Sequence, residues 1–314
     1  MLNGVVTISL FVAAGIGWRL AKPQGITAEV LLRQLTALTH MVILPAAVFI
    51  TISRLPLNEA ALRILLYVLA TTAITLAIAW LWLRTSKLPP KTKGALLIAA
   101  GFGNVLFLGI PMNKLFVADW STRVAVEYGL VENVLLLFTL GAILSRSLLE
   151  SGKGKLSRTI SSSLKDYDLW LKEPLVWAAL AGLALNLVGV DVPAWLRDIE
   201  ITLYGILIPL LILSTALALN WTEAWKQQWV NVLPVAAIQL IAVPLLMWGT
   251  VSLFGPAGVK GTQALLIDSM LPASVLGFAF CERYKLDTGA YALAFTVTTV
   301  LSVITVPVWF NILL

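Results

Sequence analysis

The chain has 314 residues, 59% hydrophobic and 12% charged, with a mean hydropathy of +0.92. An ordinary soluble domain carries roughly 25% charged residues, so a fully water-exposed surface is excluded, and with it a soluble enzyme. The 22 Lys and Arg against 16 Asp and Glu leave a net charge of +6, but the basic residues fall in short loops between apolar runs and form no solvated face for nucleic acid.

A hydrocarbon core of about 30 Å needs roughly 20 apolar residues per helix, and ten runs meet that length. They are 4–21, 30–53, 61–83, 94–115, 124–145, 174–190, 197–219, 230–254, 260–281 and 288–312. The first lacks a basic lead and a small-residue cleavage site and reads as a retained helix. The second carries His40 and Pro45. The fourth holds Gly101, Gly103, Asn104, Gly109 and Pro111, and the fifth Glu132 and Asn133. The polar stretch 147–172 reads as a cytoplasmic linker, with an amphipathic portion around 164–171. It separates a first repeat (1–146, spans 1–5) from a second (173–314, spans 6–10). Pro209 lies in the seventh run, Gln239 in the eighth, and Asp268, Pro272 and Ser274 in the ninth. The fold class expected is an all-α membrane protein of ten transmembrane helices, and tryptophans near span ends, such as Trp195, Trp221 and Trp229, read as interface anchors.

Basic residues orient such a protein. With the N-terminus outside, 16 of the 22 Lys and Arg fall in inner loops or their flanks. Both termini are therefore expected outside a cell (inner) membrane, and the net charge follows from topology.

Five is odd, so two homologous five-span halves enter the membrane from opposite sides, the inverted repeat of many secondary transporters. Pro45 and Pro111 stand 66 residues apart, and Pro209 and Pro272 stand 63 apart. A proline in a helix removes one backbone hydrogen bond. In hydrocarbon the freed carbonyl needs another partner, so such breaks survive where protein or a wet cavity surrounds them. Gly101, Gly103, Gly109 and Pro111 within eleven residues read as a discontinuous span 4, against the alternative of close packing through small residues. Spans 4 and 9 are expected to cross near the membrane centre.

Ionisable groups at depth are costly and functional by default. Glu132 and Asp268 are therefore coupling candidates, with a helix-to-helix hydrogen bond as the plain alternative. Asn104 offers two donors and an acceptor at the break, with Asn133 as its expected partner. His40 is a third coupling candidate, read alternatively as a packed residue, and Gln239 reads as bundle glue. With one cysteine, Cys281, and one histidine, a disulfide framework and a Cys/His metal cage are excluded, so neither metal nor cofactor is expected.

At these residues the sequence resembles the auxin efflux carrier family, within the bile acid/sodium symporter-like superfamily. GFGNVLFLGIPM in span 4, LPASVLGFAFCERYKLD in span 9, and HMVILPAAVF around Pro45 with IPLLIL at Pro209 carry the resemblance along the whole chain. It implies a five-plus-five inverted repeat, a scaffold domain, and a transport domain whose crossing helices break at Pro111 and Pro272. It also implies an elevator-like movement and an organic carboxylate held near the crossover, with Asn104, Gly109, Pro111, Pro272 and Ser274 as the substrate-binding set. Half-helix N-termini bring partial positive charge to that point, which suits an anion. One departure is Leu-Leu-Ile-Leu-Ser-Thr after Pro209, where the family usually places a glycine. The short linker resembles compact, bacterial-type members.

The expected function is secondary transport of a small organic anion, with H+ or Na+ as coupling ion and a homodimer as the candidate assembly. The alternative is a sodium-coupled symporter of the bile-acid type, with Asn104, Asn133, Ser274 and Thr296 as oxygen donors. No G-x-x-x-x-G-K-[ST] supports a nucleotide engine, and no H-E-x-x-H or paired aspartates support an intramembrane enzyme. A membrane sensor working through the linker has no positive feature behind it.

Overall fold

The computed structural model describes residues 2–149, 173–189, 193–219 and 225–313. The linker beyond residue 149, with its expected amphipathic portion, and Trp221 lie outside the described residues. Among those residues the chain is all-helical and has no strand beyond one isolated bridge. The helices are α1 (Leu2–Ala21), α2 (Ala28–Ser53), α3 (Glu59–Thr85), α4 (Pro90–Gly101), α5 (Val105–Phe116), α6 (Asp119–Leu149), α7 (Pro174–Val188), α8 (Ala194–Ala218), α9 (225–254), α10 (Val259–Ser269), α11 (Leu276–Arg283) and α12 (Thr288–Leu313).

Local chemistry sets the ends. Thr27 caps α2 by accepting from the Val30 N–H, and Asn58 caps α3 by accepting from the Ala61 N–H at 3.1 Å. Such caps satisfy donors that a helix start leaves free. Gly189 ends α7 with φ +72°, a left-handed conformation glycine adopts without strain. Among the described residues six helices are long and apolar enough to cross a membrane: α2, α3, α6, Trp195–Ala218 of α8, Trp229–Phe254 of α9, and α12. Leu10–Ala21, α5 and α7 are shorter apolar helices. The protein is thus a multi-pass membrane protein, and its exposed Leu, Ile, Val and Trp side chains match a hydrocarbon surrounding.

Two groups of helices emerge from the packing. In the first, α7 lies on α2, α1 on α8, and α8 on α2. In the second, α4 packs against α3, α6 and α12, α9 against α3 and α12, and α10 against α6 and α9. The longest continuously buried stretches are 92–107 and 264–277, the two interrupted runs. A helix that is apolar all round belongs inside a bundle, and these two sit at its centre.

The prolines act differently from the sequence expectation. The interruption between α4 and α5 lies at Phe102–Gly103–Asn104, and Pro111 stands seven residues further on, inside α5. Pro45 breaks nothing either: it follows a widened π turn over Thr39–Ile43, in which the Leu44 N–H reaches back to the Thr39 carbonyl. The same device precedes Pro111 (Val105–Gly109) and Pro244 (Ile238–Ala242). The extra residue in the turn re-routes one hydrogen bond beside the missing donor, so the chain stays helical. Pro209 lies inside an α8 that runs on without interruption. Only Pro272, between α10 and α11, sits at a true break.

Candidate functional site

Glycine permits the first break. After α4 ends at Gly101, Phe102 is extended (φ −132°, ψ 115°), and a Cβ on Gly103 would press to 3.2 Å from Gln239 Nε2. A Cβ on Gly101 would collide with the Leu76 side chain. The second break, 270–275, crosses the first antiparallel. The Asn104 N–H donates to the Pro272 carbonyl at 2.7 Å, and the Ser274 N–H donates to the Phe102 carbonyl at 3.0 Å, with Gly103 opposite Ala273. This is a strand pairing one bridge wide, buried among helices.

Each break exposes backbone groups that a helix would have paired, and buried groups of this kind need partners. Side chains from three other helices supply them. Glu132 Oε2 on α6 accepts from the Gly103 N–H at 3.1 Å, and Asn133 Nδ2 donates to the Gly103 carbonyl at 3.1 Å and to Glu132 Oε2. Gln239 on α9 donates to the Leu271 carbonyl at 3.0 Å. Thr298 on α12 accepts from the Ala273 N–H, and the Tyr291 hydroxyl donates to the Ser274 carbonyl. Ser274 Oγ accepts from the Leu276 N–H at the start of α11.

Asn104 is fully buried and works at both ends of its amide. Its Oδ1 accepts from the Val275 N–H at 3.2 Å, and its Nδ2 donates to Thr215 Oγ1 on α8 at 3.3 Å. That second bond joins the crossing to the first helix group. Asn133, expected beside Asn104, is spent on Gly103 and Glu132 instead. Thr215 closes the Leu-Leu-Ile-Leu-Ser-Thr segment after Pro209.

Asp268, in the last turn of α10, is buried beside α5. Asn113 Nδ2 donates to its Oδ1 at 2.7 Å. A Cβ on Gly109 would lie 2.5 Å from that same oxygen, so glycine there admits the carboxyl. Among the described residues four buried acceptor oxygens around the crossing have no hydrogen-bond donor: Asp268 Oδ2, Asn113 Oδ1, Asn133 Oδ1 and Gln239 Oε1. Pro111 is buried in the α5 turn between Gly109 and Asn113. Among the described residues no group of three or more His, Cys, Asp or Glu could hold a metal ion.

The crossing thus brings together Gly101, Gly103, Asn104, Gly109, Glu132, Asp268, Pro272 and Ser274. His40 joins none of these by a hydrogen bond: its Nε2 lies 2.9 Å from Glu173 Oε2 at the start of α7, both half-buried. Pro45 and Pro209 lie on the helices of the first group. Thr296 bonds the Ala292 carbonyl, and Thr298 is the α12 threonine that reaches the break. Sequence reasoning missed Asn113, Thr215, Tyr291 and Thr298. Asn113 had a signal, an amide two residues past Pro111 in an apolar run; lone hydroxyls had none.

The model of a family described as membrane transport protein matches residues 5–310. An uncharacterized transporter of Methanothermobacter thermautotrophicus (strain Delta H) is 26% identical over 309 residues, which cover 96% of this chain and 95% of the relative.

Proposed function

The chain belongs to the membrane transport protein family, and from that premise we propose that it is a secondary carrier for a small organic carboxylate. The observation that carries this reading is the pair of crossing breaks, joined backbone to backbone and enclosed by side chains. A structure of this kind is costly in hydrocarbon and serves no simple anchor. The N-terminal ends of α5 and α11 meet there, where their partial positive charge favours an anion. Asn104, Gly109, Pro111, Pro272 and Ser274 form the substrate-binding set of this proposal. Substrate takes over the Asn104 amide from Thr215, and the carboxylate lies by the α11 start.

The proposed architecture is ten spans in two inverted halves, 1–146 and 173–314, joined by the linker 147–172. Packing supports it. Exchanging the halves turns the pairing of span 1 with span 7 into that of span 6 with span 2, and both pairings occur (α1 on α8, α7 on α2). The breaks fall in the fourth span of each half. In this reading α1, α2, α7 and α8 form the scaffold. The remaining helices carry the crossing between the two sides in an elevator-type movement within a cell membrane, with both termini outside.

Asp268 and Glu132 are the proposed coupling groups. Unpartnered acceptors on Asp268, Asn113, Asn133 and Gln239 favour a cation at the crossing, either H+ or, in a symporter of the bile-acid type, Na+. His40, held by Glu173, falls outside this set. A thermal-shift screen tests the reading with malonate, malate, succinate, indole-3-acetate and a bile acid, each with and without Na+ at two pH values. A ligand at a hundred times its dissociation constant adds about 2.7 kcal/mol to stability. A carboxylate shift lost in Asn104→Ala is expected; a shift equal in both proteins would move the site away from the crossing.

A further inference from the structure

A cavity of about 510 Å³ opens at the end of the molecule where α3, α6 and α10 begin, away from the crossing. Its wall includes Asn58 and Ala61 at the α3 start, Trp120, Arg123 and Glu127 on α6, and Gly258 at the α10 start. This volume falls within the range of small-molecule sites, roughly 300–1,000 Å³. Nothing in the proposed transport cycle uses these residues.

The chemistry of the wall is specific. Arg123 and Glu127 lie four residues apart, on one face of α6. The Arg123 guanidinium stacks over the Trp120 ring at 5.4 Å from its centroid. Arg54, Arg63 and Lys114 at the same end each pair with a carboxylate, on Glu200, Glu59 and Asp119. Among the described residues no carboxylate lies within 4.0 Å of Arg123, Glu127 included. A guanidinium seated over a ring keeps its donor fork available for a planar, bidentate acceptor. Glu127 offers an acceptor one helical turn further in. Arg123 and Glu127 feel each other's charge but form no direct ion pair, so their polar ends, one turn apart in one cavity, suit a ligand that bears both complementary groups.

We propose that this cavity binds a small organic acid that also carries a hydroxyl or amino group, its carboxylate on Arg123 and its donor on Glu127. The site does not depend on the carrier reading, because its residues and those of the crossing are disjoint.

The test uses the single native cysteine, Cys281, which is buried, so a cysteine introduced by Ala61→Cys on the cavity wall is the accessible thiol. Its labelling rate is measured on the full-length purified protein with an anionic and a cationic methanethiosulfonate reagent. Removing one charge from within about 6 Å changes the ratio of the two rates by about tenfold. The anionic reagent is expected to be favoured, the preference to fall about tenfold in Arg123→Gln, and Arg123→Lys to keep it. Acetate, succinate, L-malate and L-glutamate are then added as protectants. L-Malate or L-glutamate is expected to slow labelling at concentrations at least tenfold below those of succinate, and Glu127→Gln to erase that difference. Labelling without anion preference, protection by none of the four, or equal protection by succinate and L-malate would each overturn the proposal. Asn104→Ala is expected to leave every one of these readings unchanged, which separates this site's failure from that of the crossing.

Discussion

Gly109→Ala adds one methyl group to a crowded contact at the crossing. The new Cβ would stand 2.5 Å from Asp268 Oδ1, 3.0 Å from Val105 Cγ1 and 3.3 Å from Leu271 Cδ1. Asp268 has to retreat, and its 2.7 Å bond from Asn113 is lost with it. Overpacking of this kind costs about 1–3 kcal/mol, and a lost interhelical hydrogen bond in a membrane protein about 0.6 kcal/mol, so a destabilisation of about 2–4 kcal/mol is expected. The severest clash, the one under 3.0 Å, is with Asp268, and removing that side chain relieves it. In an Asp268→Ala background the same Gly109→Ala change is expected to cost less than about 1 kcal/mol. A double-mutant cycle read by SDS unfolding of the purified protein measures the difference as a coupling energy. Additive effects would refute the assignment of Gly109 as the residue that admits Asp268.

Four further outcomes follow from the same contacts. Glu132→Gln keeps an oxygen for the Gly103 N–H and for Asn133, so it is expected to fold like the parent, whereas Glu132→Ala leaves both donors unpaired at about 1–3 kcal/mol each; unfolding titrations compare them. Asn104→Ala is expected to weaken carboxylate binding at least tenfold, and Thr215→Val, which removes its partner, to strengthen it or leave it unchanged, both read by calorimetry. Asp268→Asn keeps size and polarity but cannot exchange a proton, so transport is expected to lose its cation dependence while binding survives; an unaltered dependence on pH and Na+ in flux assays would place coupling elsewhere. His40→Gln is expected to leave that dependence intact, because His40 pairs with Glu173 away from the crossing.

The helices were legible because length and apolarity alone specify them, and each of the ten runs carries helix in the structure. The span-9 break was legible in kind and place, at Pro272; the span-4 break was legible in kind, but Pro111 does not mark its place. Pro111 drew attention because proline lacks a donor, yet a single missing donor is absorbed by a π turn, as at Pro45 and Pro244. At 102–104 a crossing partner supplies the hydrogen bonds, and the glycines at 101 and 103 leave room for Leu76 and Gln239. Sequence spacing reveals glycine but not the partner. Asn104, Glu132 and Asp268 stood out as polar groups among apolar neighbours, and all three reach the crossing. Their partners did not stand out. Thr215 lies 111 residues from Asn104, Asn113 lies 155 from Asp268, and threonines are common enough in apolar helices that nothing marks one of them. Gln239 read as general glue; its role is narrower, closing the carbonyl of Leu271 beside Pro272.

The most direct test of a carboxylate carrier worked from the crossing is counterflow in proteoliposomes, which needs no knowledge of the coupling ion. Vesicles are loaded with one of the carboxylates that shifts thermal stability, and uptake of the labelled compound is followed for the parent protein, Asn104→Ala and Arg123→Gln. A transient accumulation is predicted for the parent and for Arg123→Gln, and none for Asn104→Ala. Accumulation in Asn104→Ala equal to that of the parent, or none in any of the three, would contradict the account.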